Sequence, residues 1–403
     1  MLQLNFTTDL KQTLKETTID LEHPGSILRD FEVVRQYVGT EEVRACGKYN
    51  LLPIEAIPIL DERLNRPLRL LLKRPQLRSH PYLQGLHLLL RATGLTMVDG
   101  VGDRARLRLD DALNEQWNRL NPTEQYFTLM EAAFLHGDDA MIGESSRMFN
   151  DSFSQCLNAW LSLPKKGKKF DLRRPTYVYF LARRFYLLAL ADLFGLFQVE
   201  HPSPQVLPWC PAAVNHTLFG DAFFALMNKQ DYELLTVNEG ETPAFGAWQP
   251  ILQPYFPQWC ENLVLPKPEL REGVFIFKLS LGKMWRQIAI PESLTLDDLA
   301  AAILEAVDFD DDHLYDFSFR DHLGKTARIN HPHCDEGPFT DEFPIGNLPL
   351  QPGQSMTFLF DYGDSWKFNV KLEKIDPPNP RMHKPRVVGK QGNAPEQYPE
   401  AEW

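Results

Sequence analysis

Phe360-Asp361-Tyr362-Gly363-Asp364-Ser365-Trp366 is the stretch on which the reading of the C-terminal third of this chain turns. Aspartate and glycine are the residues that tight reversals require, because they tolerate unusual backbone angles and bond to their own backbone. On either side, Ser355 to Phe360 and Trp366 to Lys374 alternate apolar and polar residues, the period of half-buried strands. A strand over His313 to Phe319 precedes them, separated by the Pro- and Gly-containing stretch His331 to Gly353. Further upstream, Val274, Ile276 and Lys278 fall on one face of a strand and Phe275, Phe277 and Leu279 on the other. A turn at Leu281-Gly282-Lys283 leads to a second strand, Met284 to Ile290. Thr295 is a helix N-cap with Asp297 and Asp298 in the first turn, where the helix dipole favours negative charge, and the helix reaches Val307. The order ββαβββ predicts an α+β domain over residues 268–403, with one helix on a mixed, β-grasp-like sheet.

Four ordered segments carry a resemblance. Trp285-Arg286-Gln287-Ile288, Thr295-Leu296-Asp297-Asp298-Leu299, His313-Leu314-Tyr315-Asp316-Phe317 and Phe360 to Trp366 resemble the plasmid pRiA4b ORF-3-like family. The resemblance implies a link to plasmids and mobile elements and no established chemistry. It singles out Trp285, Arg286, His313, Tyr315, Asp316, Asp361, Gly363, Asp364 and Trp366 as motif residues. One departure stands out: the family usually closes with Pro-Pro-Glu-Asp and paired glycines, whereas this chain has Ala394-Pro395-Glu396-Gln397-Tyr398.

Two acidic turns and one loop invite a metal reading. Asp361 and Asp364 flank Gly363, and Asp308, Asp310, Asp311, Asp312 and Asp316 surround His313, a supply of oxygen ligands for a hard cation. EF-hand spacing is absent, and turn geometry alone accounts for the same residues. His331, His333 and Cys334 offer nitrogen and sulfur without an evident fourth ligand. Trp285 and Trp366 read as core or pocket wall, and Arg286 as a partner for an acidic turn. No metal, cofactor or catalytic residue is assigned.

The first two-thirds are mainly helical. In a first domain, residues 1–135, Ser26 opens a helix with Ile27, Phe31, Val34 and Val38 at helical spacing. Leu52 to Leu64 gives a second helix, and Pro81 to Thr93 a third that buries Leu83, Leu86, Leu89 and Leu90. Strands at Leu95 to Val98 and Arg104 to Leu109 follow, an order that resembles winged-helix DNA-binding domains in pattern, without a signature motif. Arg104, Arg106 and Arg108 on the wing, with Arg74, Arg78 and Arg91 around the third helix, are groups for phosphates or a solvated face of a protein-binding scaffold. Residues 136–267 form a second, helical region. It contains a helix over Thr176 to Phe197 and ends in a structured connector rich in proline and aromatics over residues 201–270, as in Phe245 to Pro250 and Pro254 to Trp259. Its basic cluster, Lys165, Lys166, Lys168, Lys169, Arg173 and Arg174, is a phosphate-binding patch or a solvated loop; the P-loop pattern is missing.

Composition narrows the classes. A net charge of −12 argues against a chain that coats nucleic acid non-specifically. From Arg271 onward 14 Lys and Arg face 22 Asp and Glu, a net of −8, so acidity concentrates in the last domain. Five dispersed cysteines make neither a disulfide framework nor a zinc ribbon. The polar, threonine-rich opening does not read as a signal peptide, and the apolar run Phe185 to Phe197, interrupted by Asp192, falls short of the roughly 18 residues of a membrane span. The expected protein is a non-catalytic cytoplasmic binding protein with a protein or small-ligand partner for its acidic domain, nucleic acid through its N-terminal half and no membrane. The alternative is a metal-dependent nuclease or other hydrolase using Asp361, Asp364 and residues near His313.

Overall fold

The structure, a computed structural model, describes residues 6–100, 102–144, 152–169, 184–201, 209–230, 243–266 and 269–398. Arg173 and Arg174, the first part of the helix expected from Thr176, and the boundary residues Lys267 and Pro268 lie outside them. The chain divides into two compact units, Met1–Leu265 and Pro266–Trp403. Within Met1–Leu265, residues on the two sides of position 135 pack against each other.

The reason is visible at Glu124 and Glu131. Asn121 and Glu124 form a capping box at the start of helix α6 (Pro122–Glu131), and Glu124 also accepts the backbone N–H of Cys260 and Glu261 at 3.1 and 2.8 Å. Glu131 is buried and accepts the N–H of Gly246 (2.6 Å) and Trp248 (2.7 Å). The Trp259 ring stacks on Phe127 at 4.4 Å. The aromatic segment therefore packs as core against the helix it follows by more than a hundred residues, as aromatics at such density do.

Upstream, α1 (Thr8–Glu16), α2 (Ile27–Thr40), β1 (Val43–Arg44), α3 (Ala56–Arg63), α4 (Pro81–Ala92), β2 (Thr96–Asp99) and β3 (Arg106–Leu109) precede α5 (Asp111–Arg119). The three strands pair antiparallel in the order β1-β3-β2. All of α4 is buried, not one stripe of it. It lies against α8 (Phe185–Leu193) so closely that a Cβ at Gly85 would meet Leu190 Cγ at 2.7 Å, and Tyr82 donates to Asp192 at 2.7 Å. The region expected to be helical also contains strands: after α7 (Ser152–Ser162), β4 (Lys168–Lys169) and β5 (Phe197–Glu200) flank β6 (Ala213–His216). Gly195, at φ +71°, ends α8, and Phe197 and Val199 then alternate inward. Helix α9 (Leu218–Met227) follows β6, capped by Thr217.

The second unit is a seven-stranded sheet in the order β10-β9-β11-β12-β7-β8-β13. Its strands are β7 (Val274–Leu281), β8 (Met284–Pro291), β9 (Tyr315–Arg320), β10 (Thr326–Asn330), β11 (Ser355–Phe360), β12 (Trp366–Asp376) and β13 (Arg386–Gln391). Every ladder is antiparallel, which corrects the expected mixed sheet, and the order is ββαβββββ because two edge strands join it. Both edges carry too few apolar residues to announce themselves: in β10 only Ile329 is fully buried, and in β13 none is. Helix α10 (Leu296–Val307), capped by Thr295 in a capping box with Asp298, covers one face over Phe275, Phe277, Phe317, Phe358 and Phe368. The other face is largely open, apart from a small apolar group of Val274, Ile276, Ala289 and Met382.

Burial raises the Glu131 carboxyl from its usual 4.5 to about 7, against the opposing pull of its two backbone donors. A carboxyl raised in the folded state favours folding while protonated, so this contribution is present at low pH and is lost as pH climbs from about 4.5 through 7. Chemical denaturation of the first unit between these limits should show a smaller loss with rising pH in Glu131→Gln than in the native chain. Equal pH slopes would contradict this assignment.

Candidate functional site

The signature turn joins β11 to β12, and its geometry follows from Asp361. That residue takes the left-handed conformation at φ 55°, which aspartate tolerates better than most, and Ser365 does the same. Asp361 Oδ1 accepts the N–H of Gly363 (2.8 Å) and Asp364 (3.4 Å), while its backbone carbonyl accepts from Ser365 at 2.6 Å. Gly363 does not supply a left-handed angle. It supplies room: a Cβ there would stand 3.2 Å from Asp361 Oδ1.

The second carboxylate oxygen of Asp361 lies 3.5 Å from His313 Nε2, and Asp312 lies 3.8 Å away on the same ring nitrogen. The hydroxyl of Tyr398 is 3.3 Å from that nitrogen and donates to Asp312 at 2.9 Å. Gln397 is buried; its oxygen accepts the Asp310 N–H at 2.6 Å and its amide donates to the Asp310 carbonyl and Asp312 at 3.4 Å. The segment that departs from the family pattern is thus the one that closes on the acidic turn. A glutamine there can donate to carboxylates and carbonyls, which an ionised aspartate cannot. Local desolvation and the Asp312 bond push the Tyr398 hydroxyl up to about 12.

The remaining motif residues are held by structural bonds. Tyr315 is buried and donates to Asp297, whose position at the helix start gave the sequence reading only its dipole role. Asp316 is buried beside Arg328 at 3.7 Å; burial raises its pKa, and Arg328 and the Tyr362 hydroxyl oppose that rise. Trp366 sits edge-on to Phe309 at 5.1 Å. Trp285 donates to Gln391 at 2.8 Å and lies under the Lys278 ammonium at 4.6 Å. Arg286 does not meet an acidic turn. It is buried and donates to four carbonyls: Ala306 (2.9 Å) at the end of α10, Trp285 (3.0 Å), Gln391 (3.1 Å) and Gly392 (3.0 Å). A guanidinium at the negative end of a helix is electrostatically well placed.

Asp364 is exposed, whereas Asp361 and Asp312 both face His313. Among the described residues no three His, Cys, Asp or Glu side chains form a group placed to hold a metal ion. In the His331 to Cys334 loop, His331 Nδ1 accepts the His333 backbone N–H at 3.0 Å, which occupies one of the nitrogens a metal would use.

In the first unit, Arg104 and Arg108 are exposed and Arg106 is half-buried, donating to the carbonyls of Asp103 and Ala105. Arg108 pairs with Asp99 at 3.5 Å. Arg91, expected beside the third helix as a phosphate contact, is buried. Lys165, Lys166 and Lys169 are exposed, and Lys168 lies in β4. No helix among the described residues is long and apolar enough to cross a membrane.

Sheet, helix and turn together define an α+β domain with a single covering helix and a signature reversal. Residues 277–399, within the C-terminal domain, match the family model described as plasmid pRiA4b ORF-3-like protein. A crystal structure of a protein of unknown function from Methanosarcina mazei Go1 is similar at 26% identity, covering 31% of this chain and 72% of that one with a TM-score of 0.28. No curated protein matches the chain.

Two substitutions separate scaffold from chemistry. Arg286→Met leaves four carbonyls without their donor and should cost about 3 kcal/mol, read by denaturant unfolding of the C-terminal domain. Asp361→Asn keeps an acceptor oxygen and a residue that tolerates the left-handed angle, and should cost under about 1 kcal/mol. A larger loss for Asp361→Asn than for Arg286→Met would overturn this ranking.

Proposed function

We propose that this is a non-catalytic, cytoplasmic binding protein whose C-terminal domain receives a cationic segment of a protein partner at the acidic end of its sheet. The observation that carries the reading is that the motif side chains best suited to chemistry are engaged in holding the domain, while the surface beside them is left outward. Asp310, Asp311, Asp312 and Asp364 are exposed there, and Leu314, Tyr362 and Tyr398 keep 38%, 45% and 52% of their surface. Aromatic and apolar anchors ringed by carboxylates suit lysine- and arginine-bearing partners through ion pairs and cation–π contacts. The closing segment, with Gln397 and Tyr398, fixes the carboxylates in place.

In the first unit, the order α2-β1-α3-α4-β2-β3 with strands arranged β1-β3-β2 supports a winged-helix reading. The helix that would enter a DNA groove in such a domain is α4, and its burial favours use of the unit as a scaffold. DNA contact by this unit then falls to exposed cations, Arg104 and Arg108 of the wing and Lys165, Lys166 and Lys169. A link to mobile elements rests on the family description alone.

Titrating the full chain with an oligo-arginine peptide should give salt-sensitive binding, weakened about tenfold when Asp310, Asp311 and Asp312 are changed to Asn. In the same assay, duplex DNA should bind weakly and lose affinity in Arg104→Ala/Arg108→Ala. Peptide binding that ignores the aspartate substitutions would sink the acidic-end reading.

A further inference from the structure

The net charge of the C-terminal domain conceals a strong asymmetry, because the sheet face opposite α10 is rich in cations. Lys367 and Lys371 of β12 point away from the core, alternating with buried Phe368, Val370 and Leu372. Lys371 stands directly opposite Lys278 of β7. Like charges facing each other across neighbouring strands, with Cβ atoms about 5 Å apart, destabilise a sheet. Among the described residues, none of these three lysines makes an ion pair. Lys278 is held over the Trp285 ring at 4.6 Å, and Lys371 is exposed.

The carboxylates on this face are already engaged. Asp316 is buried beside Arg328, Glu373 accepts from Gln287 at 2.5 Å, and Asp376 pairs with Lys374 at 2.9 Å. Between the cationic positions runs a row of hydrogen-bonding side chains in register across four strands: Ser318, Thr357, Asn369 and Ser280. Of the large apolar and aromatic side chains left exposed in this domain, Val387 and Val388 belong to the β13 edge, and Leu314, Tyr362 and Tyr398 to the acidic end; none belongs to this polar row.

We infer that this face binds a single-stranded nucleic acid, its phosphates meeting Lys278, Lys367 and Lys371 and its sugars and base edges the polar row. The cations are spread along strands instead of converging on one point, which fits an extended polyanion better than a single phosphorylated side chain. A polyanion also relieves the Lys278–Lys371 repulsion, so the feature that is unfavourable for folding becomes useful on binding. This surface adjoins the acidic end, where Tyr362 bonds Asp316, but the two assignments rest on different side chains, Lys278, Lys367 and Lys371 here and Asp310, Asp311 and Asp312 there.

The test uses the full chain and a fluorescein-labelled dT20 oligonucleotide, followed by anisotropy between about 50 and 200 mM salt. Salt-sensitive binding is expected. Lys278→Gln/Lys371→Gln should weaken it about tenfold and reduce the salt slope by about 1.4, since each phosphate contact on a single strand contributes about 0.7. The same double variant should unfold at an equal or higher temperature than the native chain, and Lys278→Arg/Lys371→Arg should restore binding. Absence of salt-sensitive binding, unchanged affinity in the Gln variant, or loss of binding only in Arg104→Ala/Arg108→Ala would overturn the proposal. Tighter binding to phosphatidylserine vesicles, lost in the Gln variant, would assign the face to a membrane instead.

Discussion

The bond from the Gly363 amide to the Asp361 carboxylate is the constraint on which the C-terminal domain depends. It closes the reversal between β11 and β12, pairing Phe360 with Trp366 and setting the register in which Phe358 faces Phe368. One carboxylate oxygen closes the turn and the other faces His313, so the same side chain links the sheet to the acidic turn after α10. From there the chain of contacts continues through Asp312 to Tyr398 and Gln397, and back along the closing segment to the Gln391 and Gly392 carbonyls that Arg286 holds. Turn, helix end and closing segment form one connected polar layer at the rim of an aromatic core.

Much of this domain was legible in sequence, and the reasons are local. The β7–β8 hairpin announces itself by strict alternation around Gly282, and α10 by Thr295 with acidic residues behind it. The signature turn is visible because Asp and Gly mark reversals, although the left-handed angles fall on Asp361 and Ser365. Edge strands β10 and β13 escaped because an edge is allowed to be polar, and its pairing is decided by a partner far away in sequence. Arg286 escaped for a related reason: its partners are backbone carbonyls, which carry no residue signal, so a carboxylate was the natural expectation.

In the first unit the misreadings share one cause, long-range packing. Helix α4 carries an apolar stripe and polar positions that suggest a solvent face, yet α8 and its neighbours cover it entirely, with Gly85 allowing the close approach. The pairing of Phe197–Glu200 with Ala213–His216 turns the end of an apolar run into strand. Glu124 and Glu131 draw the aromatic segment onto α6 from more than a hundred residues away. Charge, too, is misleading as a sum. The −12 of the whole chain coexists with an acidic sheet end and a lysine-bearing sheet face, and it is the placement of charge that selects partners.

The reading of Asp361 as the residue that builds the signature turn, set against a cation-binding role, is tested most directly by thermal unfolding of the full chain with and without millimolar Mg2+, Mn2+ or Ca2+, compared between the native protein and Asp361→Asn. The expected result is that each cation shifts the two proteins equally. A cation that raises the unfolding temperature of the native chain, and leaves Asp361→Asn unmoved, would contradict the account and return the turn to the hydrolase reading.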